Sequence, residues 1–304
     1  MKNREIDVSI IFVNYKTKEL TINAIKSVME LTEGIDYEIF VVDNASNDGS
    51  IEAIEEEFPN INIIKSDING GFGYANNLAI KQAKGKYILC LNSDTLLINN
   101  AIKIMFDFME ECKNLDVGAC GGQLYNSDFN KVPSVGNYVD IYYCLGMLGL
   151  KKIKQYEKKH SPLVNPNLYD TTCSVTNIHG ANLFIRKNVL DKIGLFDERF
   201  FMYQEDTDLC KRIINNGFKL FFIKESKIMH LDGGSYNEKI ERLQQQQQSL
   251  FIYFNKHFPN QLLFVKHFFL FGYIKNLFFK KERKKYIQMI FFILTSIYKN
   301  SRNS

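Results

Sequence analysis

Short, mostly apolar runs alternate with amphipathic segments along the first 120 residues, and this alternation restricts the fold more than any other feature of the chain. Val8–Val13, Tyr37–Val42 and Lys86–Leu91 have the pattern of strands that are buried on both faces. Thr17–Leu31 and Ile51–Phe58, which lie between these runs, have helical periodicity. The sequence therefore predicts an α/β fold, with a Rossmann-like, mostly parallel central sheet flanked by helices.

Further elements are predicted along the rest of the chain, on both sides of a less regular stretch over residues 121–175. The additional strands are Ile61–Lys65, Asn182–Arg186 and Lys219–Ile223. The additional helices begin at Gly70–Gly73, at Ile98, at Asn188 and at Asp206. The glutamine run Gln244–Gln248 is flanked by apolar residues, so we interpret it as the polar side of another helix.

Two aspartates come directly after predicted strands. Asp43 follows the run Tyr37–Val42, and Asp94 closes the tripeptide Asn92-Ser93-Asp94 after Lys86–Leu91. Open α/β sheets bind their ligands outside the carboxyl ends of the strands, so chemistry is expected at these positions. The alternative is that both segments are ordinary turns, because Asn, Ser and Asp favour turns.

Three carboxylates fall within four residues in the segment Phe200–Arg212, directly after an aromatic run. Close like charges with partial burial raise the pKa of a carboxyl group, which suits a general base. The alternative is the start of a helix, with Asp206 as its N-cap and Asp208 paired with Arg212 one turn later.

Charge, cysteine spacing and the N-terminal sequence argue for a cytoplasmic protein without an expected nucleic-acid partner. The net charge of +4 gives no reason to expect nucleic acid as a partner. The six cysteines are scattered, without a close pair at metal-ligand spacing, which predicts reduced thiols in a cytoplasmic protein. Met1–Asp7 is charged and leads directly into a strand, so it does not have the features of a signal peptide.

The tail from Leu262 onward differs from the rest of the chain, because Phe, Leu and Ile are interleaved with Lys and Arg. Its last apolar stretch, Met289–Leu294, is too short to span a bilayer. Basic and aromatic residues in this pattern predict an interfacial helix on an anionic membrane. The alternative is a pair of amphipathic helices that pack on the catalytic domain or on a second subunit in a homodimer. We therefore predict a catalytic domain over residues 1–240 and a helical region over residues 241–304.

An ordered set of motifs connects these observations to a known family. The motifs are Val8–Tyr15, Val41–Ser46, Asn69–Gly73, Leu91–Asp94, Gly194–Glu198, Phe200–Arg212, and His230 with Gly233–Ser235. Over about residues 6–240 the chain resembles the family 2 glycosyltransferases of the GT-A fold. The individual residues of these motifs are most similar to those of the rhamnosyltransferase-like branch.

The resemblance implies a binding site for a nucleotide-sugar donor, a dTDP-sugar or a UDP-sugar. Asp43 resembles the acid that accepts a hydrogen bond from the imide N–H of a uracil or thymine ring. Glycines in the loop before the third helix would allow close approach of the backbone, and a helix N-terminus favours phosphate. The donor-binding positions implied are Asn14, Asp43, Asn44, Asn69, Gly71, Phe72, Asn76, Asn92 and Ser93.

The resemblance also implies a divalent metal, Mn²⁺ or Mg²⁺, because the diphosphate leaving group must be neutralised as its bond to the sugar breaks. Asp94 is the expected ligand, and His230 would complete the metal site or touch the diphosphate. The family usually has an Asp-X-Asp motif here. This chain has the uncharged Asn92 in the first position, which weakens a clamp of two carboxylates.

Asp206 matches the position of the family's general base, and Glu205 is expected to orient the acceptor or the base. One base and direct attack give inversion at the anomeric carbon. The predicted activity is transfer of a sugar, favouring L-rhamnose from dTDP-L-rhamnose and otherwise a hexose from a UDP-hexose. The predicted acceptor is a lipid-linked or growing surface polysaccharide, met at the inner face of the plasma membrane.

Two other functions share some of these features. A sugar nucleotidyltransferase would need a glycine-rich basic loop after the first strand, but Asn14–Lys18 contains no glycine. A non-catalytic membrane-associated scaffold would explain Asn92, although Asp94, Glu205 and Asp206 are all present.

Overall fold

The computed structural model describes residues 5–136, 139–146, 169–231, 239–279 and 283–301. These residues form two compact units. The α/β unit comprises the described residues of 5–136, 169–201 and 205–231, and the helical unit comprises those of 139–146, 202–204, 239–279 and 283–301. The Gly233–Ser235 part of the motif set lies outside the described residues.

The first half of the α/β unit alternates strands and helices as the sequence predicts. Its strands are β1 (Val8–Asn14), β2 (Tyr37–Asp43), β3 (Asn62–Lys65) and β4 (Tyr87–Asn92). Its helices are α1 (Lys18–Leu31), α2 (Ser50–Glu57) and α3 (Phe72–Ile80). The predicted α/β class is confirmed, and the boundaries differ from the predicted ones by up to three residues.

The second half of the α/β unit is richer in strands than the sequence predicts. The strands are β5 (Thr95–Leu97), β6 (Val117–Tyr125), β7 (Lys131–Val132), β8 (Val135–Gly136), β9 (Cys173–Val175), β10 (Asn177–Ile178), β11 (Asn182–Arg186) and β12 (Lys219–His230). The α-helices are α4 (Ala101–Glu110), α6 (Lys187–Ile193) and α7 (Glu205–Asn215), and a 3₁₀ turn covers Cys112–Asn114.

The central sheet has the strand order β3-β2-β1-β4-β11-β6-β12-β5, with β7 beside β6 and β9 beside β12. Strands β1 to β4 are parallel where they pair. β11 is antiparallel to both β4 and β6, and β12 runs parallel to β6. The carboxyl ends of β1, β2, β4 and β12 therefore meet at one edge of the sheet, together with the amino end of β11.

Helices cover both faces of this sheet. Ile10 and Phe12 of β1 pack in one apolar cluster with residues of α1, α2 and α4. Ile11, between them, belongs to a second cluster with residues of α3, α6 and α7. Successive residues of a strand point to opposite faces, so the continuous apolar run of β1 is what a sheet covered on both sides requires.

The prediction of irregular structure over residues 121–175 is wrong for β6, which lies in the middle of the sheet. The strand contains Gly121 and Gly122, which have low β-propensity and interrupt the apolar run by which a buried strand is predicted. The fold requires them, because an added Cβ would lie 2.5 Å from Cγ2 of Ile178 and 2.4 Å from Oγ of Ser226, respectively. β12 is also longer than predicted, and its pairing register shifts between Ile223 and Lys227.

The helical unit contains α5 (Ile141–Gly146), α8 (Lys239–His257), α9 (Pro259–Phe279) and α10 (Arg283–Ser301). The glutamine run lies within α8, as predicted. Among the described residues, α9 is long and apolar enough to cross a membrane, with a mean hydropathy of 1.4, although one such helix is weak evidence.

A buried arginine ties the amino-terminal edge of the sheet to α4 and the turn after it. Arg186, the last residue of β11, donates hydrogen bonds to the carbonyls of Val117, Met109 and Asn114 and to Oη of Tyr87. A buried guanidinium is tolerated only when its donors are satisfied, and here four acceptors surround it.

We expect Arg186→Met to lower the free energy of unfolding by about 3 kcal/mol, because it leaves buried carbonyls without a donor. Chemical denaturation measures this directly. Lys187→Met is the matched control, because Lys187 makes a more exposed pair with Asp191 and should change the stability by less than about 0.5 kcal/mol. Equal effects of the two substitutions would contradict the assignment.

Candidate active site

The predicted site residues gather at the edge of the sheet where the parallel strands end. Asn14, Asp43 and Asn92 are the last residues of β1, β2 and β4, and His230 is the last residue of β12. The segment before β11, which contains His179 and Gly180, starts from the same edge. Residues from distant parts of the sequence are thus brought together by the sheet alone.

Asp94 and His230 form the most direct contact across this edge. Oδ1 of Asp94 lies 3.2 Å from Nε2 of His230, and Nδ2 of Asn92 lies 3.4 Å from the same nitrogen. Their positions are fixed by the backbone, because Thr95 of β5 pairs with His230 of β12. The amide of Leu231 also donates to the carbonyl of Asp94 at 2.9 Å.

One carboxylate from the turn before β5 and one imidazole from the end of β12 fit a divalent cation of the Mn²⁺ or Mg²⁺ type. Within the part of the chain that the structure describes, no group of three or more His, Cys, Asp or Glu could hold a metal. The protein therefore offers Asp94 and His230, and the other ligands would be water and phosphate oxygens. Mg²⁺ commonly binds in this way, with few protein ligands.

Asn14 and Asp43 form a buried hydrogen-bonded pair at the ends of β1 and β2. Nδ2 of Asn14 donates to Oδ1 of Asp43 at 2.8 Å and to Oγ of Ser46 at 3.0 Å. Oδ1 of Asn14 accepts from the hydroxyls of Thr17 and Thr21. Asn14 is fully buried, and the protein already uses its two donors and two acceptor positions. Its geometry is therefore that of a residue that orients Asp43.

The loop before α3 is held by asparagine side chains. Nδ2 of Asn44 donates to Oδ1 of Asn69 at 2.8 Å, and Oδ1 of Asn44 accepts from the amide of Gly70 at 3.1 Å. Gly71 has a φ of +87°, and an added Cβ would lie 1.9 Å from the carbonyl oxygen of Phe201. Only glycine fits there, and the loop is thereby placed against the segment that precedes the acidic cluster.

Helix α3 places further predicted residues beside this loop. Nδ2 of Asn76 donates to the carbonyl of its own helix residue Phe72, while the buried Oδ1 of Asn76 has no hydrogen-bond partner among the described residues. The ring of Phe72 meets that of Phe196 edge to face at 5.9 Å. Ser93, after β4, has its hydroxyl 3.1 Å from that of Thr17.

Asn77 is a residue that the sequence analysis missed. It is buried, and its side-chain amide exchanges hydrogen bonds of 3.0 and 2.9 Å with the amide and carbonyl of Phe196. Nδ2 of Asn77 also donates to Oε1 of Glu198 at 2.9 Å. It therefore fixes the irregular segment that leads to the acidic cluster. The available signal was an asparagine pair, Asn76-Asn77, in the middle of an apolar helix.

The acidic cluster begins helix α7 and its members have different environments. Glu205 is the first residue of the helix, so Asp206 lies inside the first turn, and the alternative of Asp206 as N-cap is wrong. Oδ2 of Asp206 accepts from the amide of Gly180 at 2.9 Å, and Oδ1 from the amide of Thr207 at 2.7 Å. The predicted pair of Asp208 with Arg212 is confirmed at 2.9 Å.

Glu205 is buried, and its Oε2 atom has no hydrogen-bond partner among the described residues. Burial, with a smaller contribution from the charge of Asp206, raises the pKa of Glu205 well above its usual range. The surroundings of Glu205 therefore disfavour the charged form of its carboxyl group. Asp206, which is partly exposed, is the member of the pair that a ligand can reach.

The backbone immediately before Glu205 is in an uncommon conformation. Tyr203 and Gln204 have φ values of +72° and +68°, in the left-handed region that residues with a side chain seldom occupy. Within the helical unit, the hydroxyl of Ser249 in α8 donates to the carbonyl of Met202 at 2.7 Å. Left-handed residues of this kind cluster at functional sites, where the surrounding structure must hold them.

His179 is also brought to this edge, although the sequence analysis assigned it no role. Its ring centroid lies 6.1 Å from that of His230, and its Nδ1 accepts from the amide of Ala181 at 3.3 Å. The next residue, Gly180, holds Asp206. His179 is exposed, so its ring forms part of the accessible surface between the Asp94–His230 pair and Asp206.

Comparison with known sequences agrees with this geometry. The family model described as glycosyl transferase family 2 matches residues 9–194. An uncharacterised glycosyltransferase of Methanocaldococcus jannaschii is 26% identical over 276 residues, which cover 86% of this chain and 85% of the relative. An N-acetylglucosaminyl-diphospho-decaprenol L-rhamnosyltransferase of Mycobacterium tuberculosis is 23% identical over 211 residues, covering 63% of this chain and 66% of the relative.

Solved structures support the same fold. TarS of S. aureus has a TM-score of 0.53 at 16% identity, and the match covers 84% of this chain and 74% of TarS. The enzyme GalNAc-T7, solved with UDP, GalNAc and Mn²⁺, has a TM-score of 0.57 at 14% identity, covering 82% and 48% of the two chains. These similarities confirm the GT-A fold. Because the family model covers more than half of the sequence, the chain belongs to glycosyltransferase family 2.

Proposed function

We propose that this transferase moves a sugar from a nucleoside-diphosphate donor to a lipid-linked or growing surface polysaccharide, with inversion at the anomeric carbon. L-rhamnose from a dTDP donor is favoured, because relatives from Mycobacterium tuberculosis and Escherichia coli are named as rhamnosyltransferases. A UDP-hexose is the alternative donor, since a Bacillus relative is named as a poly(ribitol-phosphate) β-glucosyltransferase. We place the reaction in the cytoplasm, at the inner face of the plasma membrane.

The observation that carries this proposal is the position of Asp206 relative to the Asp94–His230 pair. Both groups belong to the surface at the carboxyl edge of the sheet, and Gly180, which holds Asp206, follows His179 directly. A divalent cation bound by Asp94 and His230 would neutralise the diphosphate leaving group. The donor and the base would therefore occupy neighbouring parts of one site.

Asp206 is proposed as the general base. As an acceptor hydroxyl attacks the anomeric carbon, its proton passes to the carboxylate of Asp206, and the bond from the anomeric carbon to the diphosphate oxygen breaks. The nucleoside diphosphate leaves with the electron pair of that bond. The amides of Gly180 and Thr207 orient the carboxylate, while the adjacent Glu205, whose pKa is raised by burial, is proposed to orient the acceptor or the base.

Asp43 is proposed to bind the base of the donor. Asn14 and the amide of Ser46 hold its carboxylate at the end of β2. A carboxylate accepts a hydrogen bond from the imide N–H of uracil or thymine, whereas the corresponding nitrogen of cytosine has no proton. The neighbouring Asn44, Asn69 and Gly71 form the loop that would lie beside the donor.

We expect Asp206→Asn to lower the rate of transfer by about 10²- to 10⁴-fold, because the amide cannot accept the proton. Release of nucleoside diphosphate from a panel of UDP- and dTDP-sugars, with Mn²⁺ or Mg²⁺ and an acceptor, gives the rate. Donor affinity, measured by calorimetry, should be unchanged. Asp191→Asn on α6 is the control and should retain full activity. Wild-type activity in Asp206→Asn would exclude Asp206 as the base.

Metal binding can be tested without turnover. Asp94→Asn should weaken the affinity for Mn²⁺ in the presence of nucleoside diphosphate by about tenfold or more, as measured by electron paramagnetic resonance. Asn92→Asp should strengthen it, because a second carboxylate is then placed near Nε2 of His230. Unchanged affinities in both variants would place the metal elsewhere or exclude it.

The buried Glu205 predicts a specific dependence of stability on pH. Its folded pKa is raised, so the folded state binds the proton more tightly than the unfolded state. The resulting loss in the free energy of unfolding is absent below the pKa of Glu205 in the unfolded state, about 4.3. It grows with pH until the pKa of Glu205 in the folded state is passed. Glu205→Gln removes this loss, so its melting temperature relative to that of the wild type should rise from about pH 4 to about pH 8, which lie on either side of the pKa of the unfolded state.

Each pH unit between the two pKa values adds about 1.4 kcal/mol to this difference. Glu55→Gln is the control, because Glu55 makes an exposed pair with Lys65 and should show no such trend. A melting temperature difference for Glu205→Gln that is constant over this pH range would show that Glu205 is ionised in the folded protein.

A further inference from the structure

The surface of the helical unit carries two apolar stripes that no described residue covers. On α9 the exposed apolar side chains are Leu263, Phe264, Phe271, Ile274, Phe278 and Phe279. At 100° per residue these positions fall within an arc of about 160°, opposite the buried Leu262 and Val265, so they form one face of the helix. The stripe is strongly exposed, with Phe271 at 66% and Phe278 at 72% of their full accessibility.

Helix α10 has a similar stripe. Ile287, Phe291 and Leu294 are exposed, with Phe291 at 66%, whereas Met289 and Ile293 on the other side of the helix are buried. Contiguous apolar surface of this kind marks an interaction site on a folded protein. Both helices therefore have one face that packs within the helical unit and one that needs a partner.

The two helices form an antiparallel hairpin. Nζ of Lys266, early in α9, donates to the carbonyl of Ser296, late in α10, at 2.8 Å. At the other end the rings of Tyr273 and Tyr286 lie 6.3 Å apart. The hairpin thus presents its stripes on paired helices, and positions 280–285, between the two helices and at the start of α10, carry five basic residues.

Charge identifies the partner. Neither α9 nor α10 contains an acidic residue, and residues 259–301 contain eight Lys and Arg and a single acid, Glu282. Their net charge is +7, while the whole chain carries +4, so the remainder is net acidic at −3. Exposed Lys275, Arg283 and Lys284 are among these cations. Two copies of such a surface repel each other, whereas anionic lipid attracts it.

We propose that the exposed face of the α9–α10 hairpin binds the surface of an anionic phospholipid bilayer, lying in the plane of the interface. Its aromatic and aliphatic side chains enter the headgroup region, and its Lys and Arg contact lipid phosphates. Spanning is disfavoured for a hairpin, because the five basic residues at positions 280–285 would have to reach the far side. This surface deepens the proposed peripheral location of the transferase.

Sedimentation with vesicles tests the surface, using full-length protein without donor or acceptor. Wild type should bind vesicles of phosphatidylcholine with phosphatidylglycerol at least tenfold more tightly than pure phosphatidylcholine vesicles, and added salt should release it. Phe271→Gln/Phe278→Gln should lower the binding to the anionic vesicles by about tenfold or more. Lys275→Gln/Lys284→Gln should also lower the affinity for anionic vesicles, by about fivefold for each lysine that is removed.

Phe129→Gln is the matched control, because Phe129 is an aromatic residue of the α/β unit that is 64% exposed, and its binding should equal that of the wild type. Circular dichroism and melting temperature confirm that each variant folds. Three results would overturn the proposal. The double phenylalanine variant could bind vesicles as tightly as the wild type, or membrane association could resist both salt and carbonate. The third result is a wild-type protein that forms dimers through this face while the double phenylalanine variant is monomeric. Loss of vesicle binding with retained transfer would leave the proposed reaction intact.

Discussion

The pairing of β5 with β12 is the constraint on which the candidate site depends. Thr95 lies opposite His230 in this antiparallel pair, so Asp94 and His230 are the residues at its end. A carboxylate and an imidazole that lie far apart in the sequence are thereby held 3.2 Å apart. Since β12 also pairs with β6 in the middle of the sheet, the geometry of the pair is supported by the whole core.

Hydrogen-bonded asparagines organise the rest of this edge. Asn14 orients Asp43, Asn44 holds the loop at Asn69 to Gly71, and Asn77 fixes the backbone at Phe196. Asparagine suits this task, because its side chain carries both donors and acceptors and therefore matches backbone groups without adding charge. The charged residues of the site can then remain available for the substrate.

The two adjacent carboxyl groups at the start of α7 illustrate how burial divides chemical roles. Glu205 is buried without a partner for Oε2, and its pKa is raised, whereas Asp206 is partly exposed and held by backbone amides. Residues in the left-handed region directly precede this pair. Strain of this kind and an unsatisfied buried acid both reduce stability, which is common where activity and not stability has been selected.

The sequence by itself determined the α/β class, most of the elements and the identity of the polar residues at the strand ends. Apolar runs and helical periodicity are local properties, so β1 to β4 and β11 could be predicted from them. Family motifs likewise pointed to Asp94, Asp206 and His230. β6 was missed, because its glycines lower the local preference for a strand. The reason for glycine at positions 121 and 122 is the close approach of other parts of the fold, which the local sequence does not show.

Only the tertiary structure decided which of these residues meet and in what state. The 3.2 Å contact of Asp94 with His230 and the link from Gly180 to Asp206 depend on strand pairing over long separations, which no local pattern encodes. What packs against each side chain likewise decides three further features. These are the burial of Glu205, the hydrogen bonding of Asn14 to other protein groups and the exposure of the apolar stripes on α9 and α10. Burial and contact are properties of the assembled fold, and the pKa of Glu205 follows from them.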